Sequence, residues 1–408
     1  MTMHPIVAAL KHHKTTVILV VLEIALTCAI VTNALFLIGD RLGTMQLTTG
    51  VADNELVWAR SSGIDDDATP ASRASQKAAD LAALRGMPGV KAVAMVNSLP
   101  LSRNYWSTCL GIRPGGDKAA RVCNLVEYLG TPGYVGTLGV QLSAGRDFLP
   151  AEYVDYKGFN DPPPPVMIVT QALAGRLWPG QSPIGKAVFF GDKGQHAVHV
   201  IGVVAHLLNP SITKYHGVES GFLWPVRSLA GGMYVLRTTP EARDAVQRDL
   251  PRVLDGVDDQ RVLTDNHSYV DTVKDYFHDD RALIWLLLVV IGCLLALTAL
   301  GVVGLSSFWV QQRTHQIGIR RAIGATRRDI LRYFQIENFL IVTGGIALGL
   351  LLAVALNLLL MKHYELPRLP WFYLPIAALV LWALGQLAVL GPALRAAAVP
   401  PVVATRSV

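Results

Sequence analysis

The chain has 408 residues, of which 51% are hydrophobic and 16% are charged, and its mean hydropathy is +0.38. About a quarter of the residues in an ordinary soluble protein are charged, so this composition points to a membrane protein. The net charge of +6 is uneven: residues 40–281 carry −2 (24 Lys and Arg, 26 Asp and Glu), and the rest carry +8 (12 against 4). The positive excess flanks the hydrophobic runs, which indicates membrane orientation and argues against nucleic-acid binding.

Four apolar runs are long enough to cross a bilayer, which needs about 20 residues of helix. The predicted transmembrane segments are 15–39, 282–310, 333–361 and 371–394. The first run is longer than the apolar core of a signal peptide, and Asp40-Arg41 after it is a poor cleavage context. We therefore expect a retained membrane anchor.

Loop charge predicts the orientation of these spans. With four spans, residues 1–14, 311–332 and 395–408 lie on the same side of the membrane, and they contain most of the positive excess. The positive-inside rule makes that side cytoplasmic, with both termini. Residues 40–281 and the short loop 362–370 are then expected outside the cytoplasm.

The pattern of residues 40–281 predicts both helices and strands. Residues 72–84 and 241–254 are typical of helices, and residues 90–96 and 195–204 are typical of strands. Such a mixture predicts an α+β domain that is large enough to have its own core.

Two cysteines in this block flank RPGGDK, a sequence typical of a turn. If Gly116 centres a three-residue hairpin loop, Pro114 pairs with Lys118 and Cys109 lies directly opposite Cys123. Such a cross-strand pair is close enough for a disulfide, which an oxidising compartment favours. Two unpaired buried thiols are the alternative.

A phosphate-binding loop is suggested by Gly180–Lys186 and then rejected. The motif requires Ser or Thr at its last position, where this chain has Ala187. A strand-like run follows instead of a helix, so no helix N-terminus would face a phosphate. We interpret the stretch as a glycine-bounded turn.

The histidines of residues 195–204 do not predict a metal site. On a strand, His196 and His199 project to opposite faces and cannot share a metal. No Ser/His/Asp or paired-carboxylate pattern is specific enough to propose catalysis. We therefore predict no catalytic residue and no metal ligand.

Glu23 is an ionisable residue inside the first predicted span. Charged groups within the bilayer are costly, so such a residue is a candidate for function. A role in proton handling is one interpretation. The interpretation we favour is a carboxyl group that hydrogen-bonds a neighbouring helix and serves assembly.

The segment between the second and third spans reads RTHQIGIRRAIGATRRDI from Arg313 to Ile330. Gly324 can end a helix of about residues 313–323 through a left-handed C-cap. Thr326 can then begin the next helix, with Asp329 completing an arrangement like a capping box. The segment is thus predicted to be two helices with a hinge.

The stretch QIGIRRAIGA at 316–325 resembles the signature of MacB/FtsX-type ABC transporter permeases, which commonly reads EIGIRKALGA. Gln316 stands where Glu is usual, which removes one acidic partner for the neighbouring arginines. Further matching stretches lie at Glu337, at 344–349, and in the outer block at 133–148 and 177–204.

The resemblance implies a bacterial inner-membrane subunit with four transmembrane helices. A large α+β extracytoplasmic domain, with a porter and a sabre part, would lie between helices 1 and 2. It also implies a second permease, identical or related, and a pair of cytoplasmic ABC ATPases that use ATP and Mg. Because about 14 residues precede the first span, we expect the ATPase on a separate chain and no cofactor on this one.

The function that the resemblance implies is that of a non-enzymatic subunit of an ATP-driven complex for export, with a possible periplasmic adaptor and outer-membrane channel. The expected ATPase contact consists of Gln316, Ile317, Ile319, Arg320, Arg321, Ile323 and Gly324. Separately from this contact, Glu23 and Glu337 are predicted to be intramembrane polar residues of the chain. Two alternatives stay open: a regulator or sensor that transports nothing, and an extractor of lipids or lipoproteins.

Overall fold

The computed structural model describes residues 14–63, 69–115, 121–156, 161–191, 193–212, 217–229, 231–364 and 368–398. The chain forms two compact units. We call residues 1–46 with 280–408 the helical unit, and residues 47–279 the mixed unit. The predicted hairpin loop around Gly116 and its pair Pro114–Lys118 fall largely outside the described residues.

The elements are numbered in chain order. The helices are α1 (Lys14–Met45), α2 (Pro70–Arg85), α3 (Tyr134–Leu138), α4 (Gln171–Leu177), α5 (Arg243–Asp255), α6 (Tyr269–Tyr276), α7 (His278–Gln312), α8 (Thr314–Ala322), α9 (Arg327–Tyr364) and α10 (Tyr373–Ala398). The strands are β1 (Leu56–Gly63), β2 (Val90–Val96), β3 (Trp106–Gly111), β4 (Arg121–Gly130), β5 (Leu142–Gly145), β6 (Val166–Thr170), β7 (Ala187–Phe190), β8 (His196–Val204), β9 (Gly221–Pro225), β10 (Met233–Thr238) and β11 (Arg261–Ser268).

Four helices, α1, α7, α9 and α10, are long and apolar enough to cross a membrane. All four extend beyond the apolar runs seen in the sequence; α1 continues to Met45 and α9 already begins at Arg327. The extensions are expected because intrahelical hydrogen bonds are as favourable in the polar flanks as in the apolar centre. The apolar runs therefore mark the centres of the helices and not their ends.

Two glycines of α9 allow α1 to approach closely. A Cβ atom on Gly345 would lie 2.7 Å from the Ile24 side chain, and one on Gly349 would lie 2.5 Å from Cys28 Cβ. Small residues at such a spacing let two membrane helices pack backbone to backbone. The Asn33 side chain also donates to the Ala353 carbonyl at 3.1 Å, which fixes the register of the pair.

The helices α7 and α10 join this pair through polar contacts as well. The Asn338 amide of α9 donates to the Gly385 carbonyl of α10 at 2.8 Å. The hydroxyls of Thr27 on α1 and Thr298 on α7 lie 3.0 Å apart. Interhelical hydrogen bonds of this kind complement van der Waals packing where no water competes.

One half of the mixed unit, built from strands at the two ends of its chain segment, is a four-stranded antiparallel sheet with the order β11-β1-β10-β2. Its chain order is strand, helix, strand, repeated as β1-α2-β2 and β10-α5-β11, the split βαβ arrangement. Alternate side chains of the strands point to opposite faces. One face packs against Leu84 of α2 and against Val246, Leu250 and Leu254 of α5.

The second half is a closed ring of six strands, which we call the strand ring. Its order is β4-β3-β7-β8-β6-β9, and β9 closes it by pairing with β4 in parallel. The ring occupies the chain between β2 and β10. Within the sheet it joins the four-stranded half through β2 and β4, where Val96 pairs with Gly130.

The predicted elements of this unit agree with the observed ones. The helix expected at 72–84 is α2, whose N-cap is the Thr69 hydroxyl accepting from Ser72 N. The strand expected at 90–96 has those bounds, and the other two predicted elements correspond to β8 and α5. In the rejected phosphate loop, Gly180 and Gly185 have positive φ angles of 70° and 80°, and strand β7 follows.

A buried ion pair ties α2 to the four-stranded sheet. Arg261 donates to both oxygens of Asp80 at 2.7 and 3.0 Å, and their side chains are 1% and 2% exposed. The Tyr234 hydroxyl donates to the same carboxylate at 2.6 Å. Burial, together with the Asp80 carboxylate, raises the pKa of Tyr234, so this hydroxyl remains a donor.

We predict that Asp80→Ala destabilises the mixed unit by about 3–5 kcal/mol, because it leaves the Arg261 charge buried without a partner. The thermal midpoint of the full chain in detergent, followed by tryptophan fluorescence, should fall by on the order of 10 °C. Asp80→Leu with Arg261→Met should recover much of the loss. Asp249→Ala, which removes an exposed pair with Arg252, is the matched control and should change little.

Candidate functional site

The start of α8 is fixed to α9 by a buried charge pair. One guanidinium nitrogen of Arg313 lies 3.0 Å from each carboxylate oxygen of Glu337. The side chains are 15% and 1% exposed. The guanidinium also stands over the Trp309 ring of α7, 5.5 Å from its centroid. The connection between α7 and α8 is therefore held against the third membrane helix.

The middle of α8 is fixed by burial. Ile317 is 5% exposed and packs in a small apolar cluster with residues of α9 and α10. The other buried members of this cluster are Ile330, Phe334, Ala393, Ala396 and Ala397. Near the end of the helix, Arg321 donates to the Ala397 carbonyl at 3.1 Å. The helix therefore rests on both α9 and α10.

The end of α8 has the geometry of a Schellman motif. Gly324 has φ = 108°, its N–H donates to the Arg321 carbonyl at 3.2 Å, and Ala325 N–H donates to the Arg320 carbonyl at 3.0 Å. These are the two reversed bonds of that motif, and the positive φ favours glycine. The predicted left-handed cap is present, with helix bounds of 314–322 instead of about 313–323.

The next helix begins with a reciprocal cap. Asp329 N–H donates to the Thr326 hydroxyl at 3.2 Å, and Thr326 N–H donates to the Asp329 carboxylate at 2.9 Å. The Thr326 hydroxyl also donates to this carboxylate at 2.6 Å, and it is the main reason that the pKa of Asp329 is lowered. The turn between α8 and α9 is thus fixed on both sides.

The outer face of α8 exposes apolar and basic side chains side by side. Ile319 is 41% exposed and Ile323 is 82% exposed, and Gln316 and Arg320 are also exposed. The Arg320 guanidinium lies over the Tyr333 ring, 5.1 Å from its centroid. Ile317 differs from the expectation for a partner contact, because it points into the chain's own cluster and anchors the helix.

Glu23 does not join this group of residues. It lies on α1 against α7, where a Cβ atom on Gly301 would come within 2.7 Å of one Glu23 carboxylate oxygen. Glycine at 301 therefore provides the space for the carboxylate between the two helices. The two intramembrane acids predicted from the sequence occupy separate places in the helical unit.

Cys109 and Cys123 form a disulfide across β3 and β4, with Cα atoms 4.0 Å apart. The pairs Leu110–Val122 and Gly111–Arg121 have the register that the hairpin argument requires. Beyond the disulfide the register shifts, and Asn124 adopts a positive φ of 62° in the irregular position.

The histidines of β8 alternate as predicted: His196 and His199 lie an odd number of residues apart, and His199 is the more exposed. Among the residues that the structure describes, no group of three His, Cys, Asp or Glu is placed to hold a metal ion. The Arg313–Glu337 pair is the feature of the site that sequence reasoning missed. The sequence did contain a signal for this pair: Arg313 follows the second apolar run closely, and Glu337 lies inside the third.

Two family models match the chain. A MacB-like periplasmic core domain matches residues 17–253, and an FtsX-like permease C-terminal region matches residues 288–401. The chain belongs to the MacB/FtsX family of permeases. The helix α8 and its contacts on α9 and α10 all lie within the FtsX-like region.

Individual proteins of several bacteria are also similar to this chain. The macrolide export ATP-binding/permease protein MacB of Bdellovibrio bacteriovorus is 28% identical over 265 residues, which is 59% of this chain and 38% of that protein. MacB of Sodalis glossinidius is 29% identical over 197 residues, 43% of this chain and 27% of that protein. The uncharacterized ABC transporter permease YknZ of Bacillus subtilis is 21% identical over 66% of this chain and 64% of that protein.

The matched region thus spans about a quarter to two-fifths of the length of the two MacB proteins. The periplasmic region of MacB from Actinobacillus actinomycetemcomitans aligns with 58% of this chain and 98% of its own, at 15% identity and a TM-score of 0.36. The extracellular domain of YknZ from Gram-positive bacteria aligns with 51% of this chain at a TM-score of 0.32. The two family models and the four apolar helices make this chain a multi-pass membrane permease, and it matches the MacB proteins in their permease region.

We predict that Glu337→Ala loosens α8 from α9, because it leaves the Arg313 guanidinium without its charge partner. Trypsin cleavage after Arg320 and Arg321, in vesicles that expose this face, should become at least roughly tenfold faster. Arg313→Met with Glu337→Met removes both charges and should restore slow cleavage. Gln312→Ala serves as control; equal cleavage rates in Glu337→Ala and in this control would contradict the anchoring role.

We predict that Gly324→Ala destabilises the turn after α8 by about 1–2 kcal/mol, since a side chain at this φ is strained. No heavy atom beyond its chain neighbours lies within 4 Å of the added Cβ, so the cost is conformational and not steric. Cleavage after Arg327 should accelerate by roughly tenfold in the same vesicles. Gly344→Ala, whose Cβ also meets no atom within 4 Å but lies inside α9, should leave it unchanged.

Proposed function

We propose that this chain is the transmembrane subunit of an ATP-driven complex and that α8 receives the movement of a cytoplasmic ABC ATPase. The observation that carries the proposal is the combination of a fixed inner face and an exposed outer face on one short helix. Ile317 and Arg321 attach α8 to the membrane helices, while Ile323 is 82% exposed. Because α8 is attached in this way, a displacement of α8 by a bound partner would move α9 and α10 with it.

The charge distribution supports a cytoplasmic position for α8. The basic residues of 311–332 lie on the same side as the segments before α1 and after α10 if all four helices span the bilayer. The positive-inside rule supports a cytoplasmic location for that side and for both termini, in a bacterial inner-membrane protein. The mixed unit, which contains a disulfide, would then lie in the oxidising space outside.

The partners follow from the same arrangement. A pair of ATPase subunits would bind ATP and Mg, while this chain would be non-catalytic and would pair with a second permease, identical or related. The four-stranded half of the mixed unit would correspond to the porter part, and the strand ring to the sabre part. Since relatives of this chain are named for macrolide export, export is the leading function.

We predict that Arg320→Glu and Ile323→Asp each weaken the affinity for the ATPase by roughly tenfold, because each places a negative charge on the exposed surface that α8 would present to the ATPase. The measurement is the affinity of the ABC ATPase that co-purifies with the chain, together with the stimulation of its ATP hydrolysis. Arg328→Glu makes the same charge change beyond the turn and is the matched control. Full stimulation in a correctly folded Ile323→Asp variant would contradict the role of α8.

Co-purification separates export from regulation. An adaptor and an outer-membrane channel retained with the complex would support export. A cell-wall hydrolase or a histidine kinase in their place would support a regulator that transports nothing. Stoichiometric phospholipid or lipoprotein retained with the chain, and released on ATP hydrolysis, would support lipid extraction.

A further inference from the structure

The strand ring contains a cavity of about 460 Å³, which we call the ring cavity. Residues of five ring strands line it: β3, β4, β7, β8 and β9. It lies where β7 ends at Phe190 and where β8 begins at His196 and β4 at Arg121. A cavity of this size at the mouth of a closed sheet is a common place for a small ligand.

Glu127 is a buried acid in the wall of this cavity. Its residue exposure is 0%, and it lies on β4 between Leu125 and Leu129, which face the same apolar core. Neither carboxylate oxygen has a partner that meets hydrogen-bond geometry among the described residues, and Thr108 is the side chain close enough to act on the carboxylate. A buried carboxylate without a charge partner costs several kcal/mol, so stability of the fold does not explain this residue.

Three aromatic side chains share this cavity with Glu127. Trp224, Phe190 and Tyr156 are buried and line the same cavity. The Trp224 ring lies 5.0 Å from Phe190 and 5.5 Å from Tyr156, measured between centroids. The faces of aromatic rings attract cations, and the effect strengthens where water is excluded.

Arg121, a basic residue in the lining, already has a hydrogen-bond partner. The Arg121 guanidinium donates to the Gly191 carbonyl at 2.8 Å, across the cavity wall. Asp161 is a second acid in the lining of the cavity.

We propose that the ring cavity binds an organic ammonium ion, whose charge pairs with Glu127 and whose apolar body contacts Trp224 and Phe190. A protonated amine satisfies the buried carboxylate, and an apolar body fills the aromatic part of the cavity. This assignment concerns binding to the mixed unit, and it stands or falls independently of the coupling role of α8.

Protonation of Glu127 sets the pH range of the binding. Burial raises the pKa of Glu127 to about 7, and the Thr108 hydroxyl acts in the opposite direction. The carboxylate form, which pairs with the ammonium, is thus present above pH 7 and is lost as the pH falls. The other titratable groups in the wall are Arg121, Tyr156, Asp161 and His196.

The test uses benzylamine, which is an ammonium ion at pH 8, and benzyl alcohol, its neutral analogue. Both are titrated calorimetrically into the full chain in detergent micelles at that pH. Benzylamine should bind the wild type at least roughly tenfold more tightly than benzyl alcohol, since a charge-assisted hydrogen bond is lost with the alcohol. In Glu127→Gln, which preserves the shape of the side chain, the two affinities should become equal.

A pH series separates Glu127 from the histidine in the wall, because imidazoles also take up a proton in this range. The benzylamine affinity should fall at least roughly fivefold between pH 8 and pH 6 in the wild type and in His196→Gln. It should be nearly constant in Glu127→Gln.

Three results would overturn the assignment. The first is equal affinity of the wild type for the two compounds, including no binding of either. The second is an unchanged benzylamine affinity in a Glu127→Gln variant whose thermal midpoint matches the wild type or exceeds it. The third is displacement of benzylamine by millimolar magnesium chloride, which would assign the carboxylate to a metal ion.

Discussion

The contact between Arg313 and Glu337 determines how α8 is arranged on the helical unit. A guanidinium that is 15% exposed and a carboxylate that is 1% exposed are stable together, because each supplies the charge that the other would otherwise lack. The pair fixes the direction in which α8 leaves α7, and this direction places Ile317 in the cluster on α9 and α10. With Ile317 buried in this cluster, Ile319 and the C-cap residue Ile323 remain exposed, at 41% and 82%.

The sequence was sufficient for features that depend on local chemistry. Gly324, Thr326 and Asp329 are capping residues whose effect is confined to a turn, and both caps have the predicted bonds. The four membrane helices follow from apolar length alone, but their ends do not, because polar flanks continue the helices. The family signature at 316–325 was equally local.

Features that depend on distant partners were not predictable in this way. In the sequence Ile317, Ile319 and Ile323 were all expected to contact a partner, and the packing of α9 and α10 distinguishes the buried one. The closure of the strand ring requires β9 to pair with β4 from far along the chain. Glu127 looked like one acid among 30, since nothing in its neighbours reveals that its carboxylate is enclosed.

The chain leaves the four-stranded sheet for the strand ring, and returns from it, at a single point of that sheet. The chain departs for the ring at Val96 of β2 and returns at Met233 of β10, and these two residues are paired neighbours. Antiparallel neighbours lie only about 5 Å apart, so a short turn would close the same gap. The ring is therefore one continuous insertion between two paired residues of the four-stranded sheet, and a single turn from β2 to β10 would leave the order of the four strands unchanged.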